Sequence, residues 1–281
     1  MYAIKIFFVT INIVKSRFTL MAFNQSLVRL FIFFCFSLLY QRTDACSMYK
    51  ITKDGKTMVG CNEDNWRTTS RIWFESKNTS NLYGAVFTGS RQVRKNIFAP
   101  QSGMNEAGLV FSRLASYHPE KKETAEGKKQ IRDEVEYLSG ILHNSRNVKE
   151  VKEYISQYDH SIFIDDVFIY VDKNGDYLVV EPYELLEGNE AAYVLSNFCP
   201  SITSNQKARK LERFKNGEDY IELHGLDTSL SFSKAMSDTM HVCRKRNGDG
   251  TLLPSIWDTQ NGILNLYFYH NYDTTVQFIL S

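Results

Sequence analysis

The chain has 281 residues, and its 33 basic and 32 acidic side chains leave a formal net charge of +1. Hydrophobic residues make up 43% and charged residues 23% of it, a globular balance that excludes a disordered, collagen-like or polytopic membrane protein. The near-neutral charge gives no electrostatic basis for nucleic-acid binding.

The first segment of the chain differs in composition from the rest. Leu30–Tyr40 is an apolar run of 11 residues, which is shorter than the roughly 20 residues of a transmembrane helix. Its length is that of the hydrophobic region of a signal peptide, and Arg29 supplies the positive charge before it. Thr43 and Ala45 place small residues where a signal peptidase cleaves. The pattern predicts a signal peptide over residues 1–45.

Removal of this segment would leave Cys46 as the first residue of a single domain, 46–281. Met21–Ala45 alone makes a complete signal peptide, so translation could begin at Met21. Three interpretations of Cys46 remain open. It is a free N-terminal residue with thiol and α-amine available, a lipid-acylated cysteine despite Thr43 in place of the usual Leu-like residue, or a structural residue behind an uncleaved anchor. We accordingly predict an exported protein, periplasmic or secreted, with lipid anchoring through Cys46 as the alternative.

Export implies an oxidising compartment. The exported part would carry four cysteines: Cys46, Cys61, Cys199 and Cys243. If Cys46 stays free, at most one disulfide fits, so the pattern is not that of a disulfide scaffold.

The first half of the chain predicts mainly strands, followed by helices. Alternation and turn residues predict strands over 47–51, 57–61, 71–75, 83–88 and 108–114. Apolar spacing predicts a helix over Lys128–His143. Asn147 is placed to cap a second helix over Val148–Gln157.

The second half returns to hairpins. Lys173-Asn174-Gly175 is a strong turn signal between strands at 168–171 and 177–181. Further strands are predicted over 193–196, 255–259, 263–269 and 275–280, and helices over 205–214 and 233–240. Antiparallel hairpins with helices grouped separately predict an α+β protein and not a βαβ winding.

Three segments carry a more specific signal: Cys46-Ser47 with Val59–Trp66 (VGCNEDNW), Ser102–Leu109 (SGMNEAGL) and Val194–Phe198 (VLSNF). In this order they resemble the choloylglycine hydrolase and penicillin V acylase family and the related acyl-CoA:6-aminopenicillanate acyltransferases, which are N-terminal-nucleophile hydrolases. The resemblance spans about residues 46–280. It implies a four-layer αββα sandwich with mostly antiparallel sheets.

The chemistry of an N-terminal cysteine can be argued independently. A thiol with a pKa near 8.5 is mostly protonated at pH 7, so it needs a base before it attacks an amide. An α-amine has a pKa of about 8 and lies beside the thiol by covalent construction, so no histidine is required. The resemblance implies that Cys46 attacks a linear amide to give an acyl-thioester. The same residues could transfer the acyl group to an amine, and a non-catalytic lipid-anchored surface protein is the alternative from another class.

The resemblance also implies roles for other residues. Asp64 matches the position that holds the α-amine, with a turn-capping role as the alternative. Asn105 matches an asparagine whose backbone or side chain helps to bind the oxyanion, and its alternative is a tight turn beside Gly103 and Gly108. Asn197 matches the side-chain oxyanion donor, or is an ordinary loop residue.

One position departs from the family pattern. Cys61 stands where many members have an arginine near the nucleophile, which puts bile-salt or penicillin specificity in doubt, and we interpret it as a buried strand cysteine. A second family arginine falls later in the chain. Arg209, or Arg213 on the same predicted helix, could fill that role, with a solvated basic helix face as the alternative.

Cofactors and other partners are not indicated. The six histidines are scattered without metal-ligand spacing, and no glycine-rich phosphate loop occurs, so we predict no metal and no cofactor. The expected partner is a small-molecule amide substrate, with no nucleic acid and no stable membrane span after processing. Because family members are often multimeric, a homo-oligomer is possible.

Overall fold

The computed structural model describes residues 46–65, 70–92, 97–119, 127–243 and 250–280. The predicted signal peptide over residues 1–45 lies outside these ranges. The strands are, in chain order, β1 (Ser47–Lys53), β2 (Lys56–Asn65), β3 (Ser70–Glu75), β4 (Ala85–Gln92), β5 (Ile97–Asn105), β6 (Val110–Ala115), β7 (Lys129–Gln130), β8 (Tyr158–Asp159), β9 (Asp166–Val171), β10 (Tyr177–Val180), β11 (Leu185–Gly188), β12 (Ala192–Leu195), β13 (Gly250–Asp258), β14 (Ile263–Phe268) and β15 (Asn271–Ile279).

These strands form two antiparallel sheets. The first has the spatial order β12-β1-β2-β13-β14-β15 and the second has the order β11-β10-β9-β6-β5-β4-β3. β7 and β8 make a separate parallel pair. In the first sheet β1 lies between β2, its hairpin partner, and β12 from much later in the chain. The residue that precedes β1 therefore has a neighbour on each side.

The helices lie outside the two sheets. They are α1 (Glu134–Asn144), α2 (Val148–Ile155), α3 (Asn205–Ala208), α4 (Glu212–His224) and α5 (Leu230–Met240). The side chains of Asp133 and Asn147 accept backbone hydrogen bonds and cap α1 and α2. α1 and α2 pack on the second sheet, whereas α4 and α5 pack on the first. The predicted α+β class and αββα layering are confirmed.

An apolar core joins the two sheets. Met48, Val59, Met104, Ile169 and Trp257 lie in it and are all 0% exposed. Because side chains alternate between the two faces of a strand, the intervening residues pack against the helices instead. The central strands of each sheet are therefore buried on both faces, which is why the chain has a separate apolar cluster under each helical layer.

Several boundaries differ from the predictions. The helix predicted from Lys128 begins only at Glu134, because Asp133 caps it and Lys129–Gln130 pairs with β8. The helix predicted over 205–214 is divided into α3 and the start of α4. β5 and β11 were not predicted as strands. The hairpin around Lys173-Asn174-Gly175 and the helix that Asn147 begins are confirmed.

No helix within the described ranges has the length and apolar character needed to cross a membrane. The four cysteines in those ranges, Cys46, Cys61, Cys199 and Cys243, are all unpaired.

Candidate active site

One end of the space between the sheets contains a cavity of about 230 Å³. Its lining comes from both sheets and is mostly polar: Cys46, Glu63, Asp64, Asn65, Ser70, Ser90, Gln101, Arg113, Ala115 and Asp166. The apolar core between the sheets thus gives way to charged and hydrogen-bonding groups where it meets the predicted nucleophile.

Cys46 immediately precedes β1 and is partly exposed. Its carbonyl oxygen accepts a hydrogen bond of 3.1 Å from the Ser196 hydroxyl. Burial and the carboxylates of Asp64 and Glu63 raise the pKa of the Cys46 thiol, whereas a hydrogen bond from the Asp64 backbone amide and the charge of Arg213 lower it. Burial has the largest effect, so the thiol is protonated at neutral pH and needs a base to become a nucleophile.

Asp64 lies near the end of β2, and its side chain is only 2% exposed. The carboxylate accepts a hydrogen bond from the Thr251 hydroxyl on β13. Its Oδ2 lies 3.5 Å from Nη1 of Arg213 on α4. These partners compensate the carboxylate for the water it loses on burial. The backbone amide of the same residue hydrogen-bonds the thiol of Cys46.

Asn197 follows β12 and connects the two sheets. Its Nδ2 donates to the carbonyl oxygen of Ala115 at 2.7 Å, and its Oδ1 accepts from Nη1 of Arg213 at 3.1 Å. The side-chain amide nitrogen of asparagine carries two N–H groups, and this contact uses one of them. The second one meets no acceptor in the described part of the chain. Asn197 does not itself line the cavity, but it contacts Ala115, which does.

The two arginines proposed from the sequence lie in different places. Arg213 contacts both Asp64 and Asn197. Arg209 instead pairs with Glu218, at 2.7 Å, and with Asp219 on the outer helical layer. The structure therefore brings Arg213, and not Arg209, to the surroundings of Cys46.

The structure does not bring Asn105 to the cavity. Its Nδ2 donates to the carbonyl oxygens of Leu142 and Ser145, both at 2.7 Å, and its Oδ1 accepts from the backbone of Ala107 and Leu109 at 3.1 and 3.0 Å. Its own backbone N–H bonds to the Leu109 carbonyl. All of these groups serve the turn after β5 and the end of α1, so the geometry assigns Asn105 a structural role in place of the expected oxyanion contact.

Cys61 faces the core between the sheets, as expected for a buried strand cysteine, and burial raises the pKa of its thiol to about 12. Glu63, two residues further along β2, lies on the same face and lines the cavity. Its carboxylate accepts a hydrogen bond from the Thr88 hydroxyl. Burial raises the pKa of Glu63 to about 7, although the hydrogen bond from Thr88 opposes the shift.

Sequence reasoning missed Glu63, Arg113 and Asp166. Side chains alternate along a strand, so a buried Cys61 on β2 would have placed Glu63 on the same face, the one turned toward the second sheet. Arg113 on β6 forms a bidentate pair with Asp166 on β9, with N–O distances of 2.8 and 2.7 Å. These two residues meet because of the β6–β9 register, for which the sequence carries no local signal.

The αββα layers, two stacked antiparallel sheets between helices, are those of the N-terminal-nucleophile hydrolase fold. Two crystal structures of variants of conjugated bile acid hydrolase from Clostridium perfringens match it with TM-scores of 0.62 and 0.63 and sequence identities of 18% and 19%. The two matches extend over 83% and 84% of this chain and over 92% of each hydrolase chain. Penicillin V acylase from Agrobacterium tumefaciens matches with a TM-score of 0.58 and 13% identity, over 79% of this chain and 82% of that one.

These structures are from the family that the motifs resemble, so the predicted resemblance is confirmed at the level of the fold. No family model matches the sequence, and no curated protein matches it.

Proposed function

We propose that this chain hydrolyses the C–N bond of a linear amide, with Cys46 as an N-terminal nucleophile. The observation that carries the proposal is the arrangement around Cys46, whose thiol meets the Asp64 backbone amide, the charge of Arg213 and a polar cavity. The fold shared with a conjugated bile acid hydrolase and a penicillin V acylase supports this class of reaction.

In the proposed reaction, removal of residues 1–45 gives Cys46 a free α-amine, which takes the thiol proton. The sulfur attacks the amide carbon and a tetrahedral intermediate forms. The intermediate collapses to an acyl-thioester as the C–N bond breaks, and the proton passes to the leaving amine. Water then attacks the thioester, which releases the acid and restores the thiol.

The surrounding residues have separate roles in this proposal. The second N–H of Asn197 donates to the oxyanion, an interaction whose removal typically costs about 3 kcal/mol of transition-state stabilisation. The Asp64 carboxylate holds the α-ammonium. Arg213 is a positioning residue, because it contacts both Asp64 and Asn197 and its charge favours the thiolate.

Processing, location and assembly are also proposals. We take residues 1–45 as a signal peptide that directs the chain to the periplasm or the exterior, and 46–281 as the catalytic domain. Its partner is a small-molecule amide, and self-association into a homo-oligomer is open to measurement by sedimentation. A lipid attached to Cys46 would instead make the chain a non-catalytic surface protein.

The first test is the intact mass and N-terminal sequence of the exported protein. We expect a chain that begins with unmodified Cys46. A diacylglyceryl mass on Cys46, or a chain that still carries Leu30–Tyr40, would remove the free thiol–amine pair and contradict the mechanism.

The second test is turnover on a panel of linear amides. Cys46→Ser and Cys46→Ala are expected to abolish hydrolysis, and rapid acid quench of the wild-type protein should show an acyl mass on the Cys46 peptide. Cys243→Ser is the matched control, since this cysteine is exposed and does not line the cavity. Hydrolysis that survives Cys46→Ala would refute the proposed nucleophile.

A further inference from the structure

The cavity beside Cys46 holds a carboxyl group that the proposed mechanism does not use. The pairings Ser47–Asn62 and Met48–Leu195 continue along their strands to place Cys46 between Glu63 and Asn197. Cross-strand neighbours share a face, with Cβ atoms roughly 5 Å apart. Glu63 therefore lies beside the nucleophile, on the side opposite the oxyanion donor.

Glu63 has no cationic partner in the described part of the chain. The residue is 7% exposed and its carboxylate accepts from Thr88. The two arginines nearby pair with other carboxylates, Arg113 with Asp166 and Arg213 with Asp64. A buried carboxylate is costly to ionise without a partner, and a bound cation would supply one.

We propose that Glu63 binds an ammonium group of the substrate, so that the substrate is an aminoacyl amide with its ammonium on the carbon next to the scissile carbonyl. The inference rests on the proposed function, because it takes Cys46 as the attacking group. The acyl carbon bound to Sγ then carries its nitrogen toward the neighbouring strand, where the Glu63 carboxylate lies.

The size and polarity of the cavity agree with this substrate class. Its volume of about 230 Å³ is below the roughly 300–1,000 Å³ of pockets that enclose drug-sized ligands. Ser70, Ser90 and Gln101 add hydrogen-bonding groups opposite Cys46. A small polar acyl group fits these walls, whereas a large apolar one meets little apolar surface.

The charge of such a substrate also helps the nucleophile. The carboxylates of Asp64 and Glu63 both raise the pKa of the Cys46 thiol. An ammonium group bound to Glu63 offsets part of this negative charge. The thiolate is therefore easier to form when the substrate is present than when the cavity is empty.

The test compares two anilides on processed enzyme: alanine p-nitroanilide, and isobutyric acid p-nitroanilide, in which a methyl group replaces the ammonium. We expect wild-type kcat/KM to favour the alanine compound about 100-fold, the size of effect typical of a buried charge pair. Glu63→Gln keeps the shape and can still accept from Thr88, and it should reduce the preference to about threefold or less. Glu187→Gln changes an exposed carboxylate outside the cavity and should keep the full preference.

Equal wild-type rates on the two anilides, or an unchanged preference in Glu63→Gln, would overturn the inference while leaving the proposed function intact. Calorimetry on Cys46→Ala, with alaninamide and isobutyramide, separates binding from turnover. If neither anilide is hydrolysed but alaninamide alone binds, and Glu63→Gln in that background abolishes its binding, the ammonium site stands and the proposed hydrolysis fails. Equal binding of the two amides would refute the ammonium site.

Discussion

Cys46 lies between an amide and a carboxyl group, and the strand register places both. Asn197, which follows β12, and Glu63 on β2 flank it on the face of the first sheet that is turned toward the second. A shift of one residue in either pairing would turn these side chains to the helical face, since side chains alternate along a strand. The chemistry around the cysteine thus depends on a register that buried apolar neighbours such as Met48 hold in place.

Asn197 and Asn105 should respond differently to substitution. Asn197→Ala is expected to lower kcat about 100-fold or more with little change in KM, because it removes a donor used in the transition state. Asn105→Ala leaves two buried carbonyls and two N–H groups without the partner they have now, so it should lower the free energy of unfolding by about 3 kcal/mol or more. Steady-state kinetics and urea unfolding measure the two effects. A stable but inactive Asn105→Ala protein would contradict the structural role.

At the scale of elements, the Ser102–Leu109 motif serves the packing of a turn and not the cavity. A Cβ on Gly103 would lie 2.8 Å from the Val86 carbonyl oxygen and 3.0 Å from Leu142 of α1, so glycine allows the helix to approach the sheet. Gly108 adopts a φ of +82°, and a Cβ there would lie 2.4 Å from the Thr259 carbonyl oxygen. The residues of this motif, which carries much of the family resemblance, therefore stabilise the fold and do not line the cavity.

Gly108→Ala and Gly55→Ala form a matched pair that tests this interpretation. Gly55, in the β1–β2 turn, has a φ of +73° but open space around its Cβ position. Gly55→Ala should cost about 1–2 kcal/mol from backbone conformation alone. Gly108→Ala adds a clash with backbone and should cost more than twice as much, as urea unfolding would measure. Similar losses in the two variants would show that the turn at Gly108 can shift without penalty.

At the scale of the whole molecule, the cavity exists only where the two sheets meet, so burial of its groups is coupled to folding. Burial raises the pKa of Glu63 from 4.5 to about 7. Between these values the folded chain keeps a proton that the unfolded chain has lost, so this group lowers the free energy of unfolding as pH rises from about 4.5 to 7. Its other titratable or charged neighbours in the cavity are Cys46, Asp64, Arg113 and Asp166.

Glu63→Gln should remove this pH dependence. We expect the free energy of unfolding of the wild type minus that of the variant to fall by up to about 3 kcal/mol from pH 5 to pH 8. Urea unfolding of both proteins at the two pH values measures the difference. A difference that is flat with pH would mean that the Glu63 carboxyl is not buried in this way.

The sequence by itself predicted the features that depend on neighbouring residues. The hairpin at Lys173-Asn174-Gly175 and the cap at Asn147 are local signals, and the structure has both. Cys46 as the predicted nucleophile came from the signal-peptide pattern before it and from three motifs that resemble a known family. The break between α3 and α4 was missed, because apolar spacing alone did not show where the first of these short helices ends.

Only the tertiary structure decided which distant residues meet. Arg213 and not Arg209 contacts Asp64, because the chain turns between α3 and α4 before the helix packs on the first sheet. Asn105 faces the outer helices and Glu63 faces the cavity. Alternation along a strand says which residues share a face, but only the pairing and stacking of the two sheets decides what each face contacts. The sequence determined the local chemistry of each segment, and the packing of two sheets from distant parts of the chain determined which groups surround the cysteine.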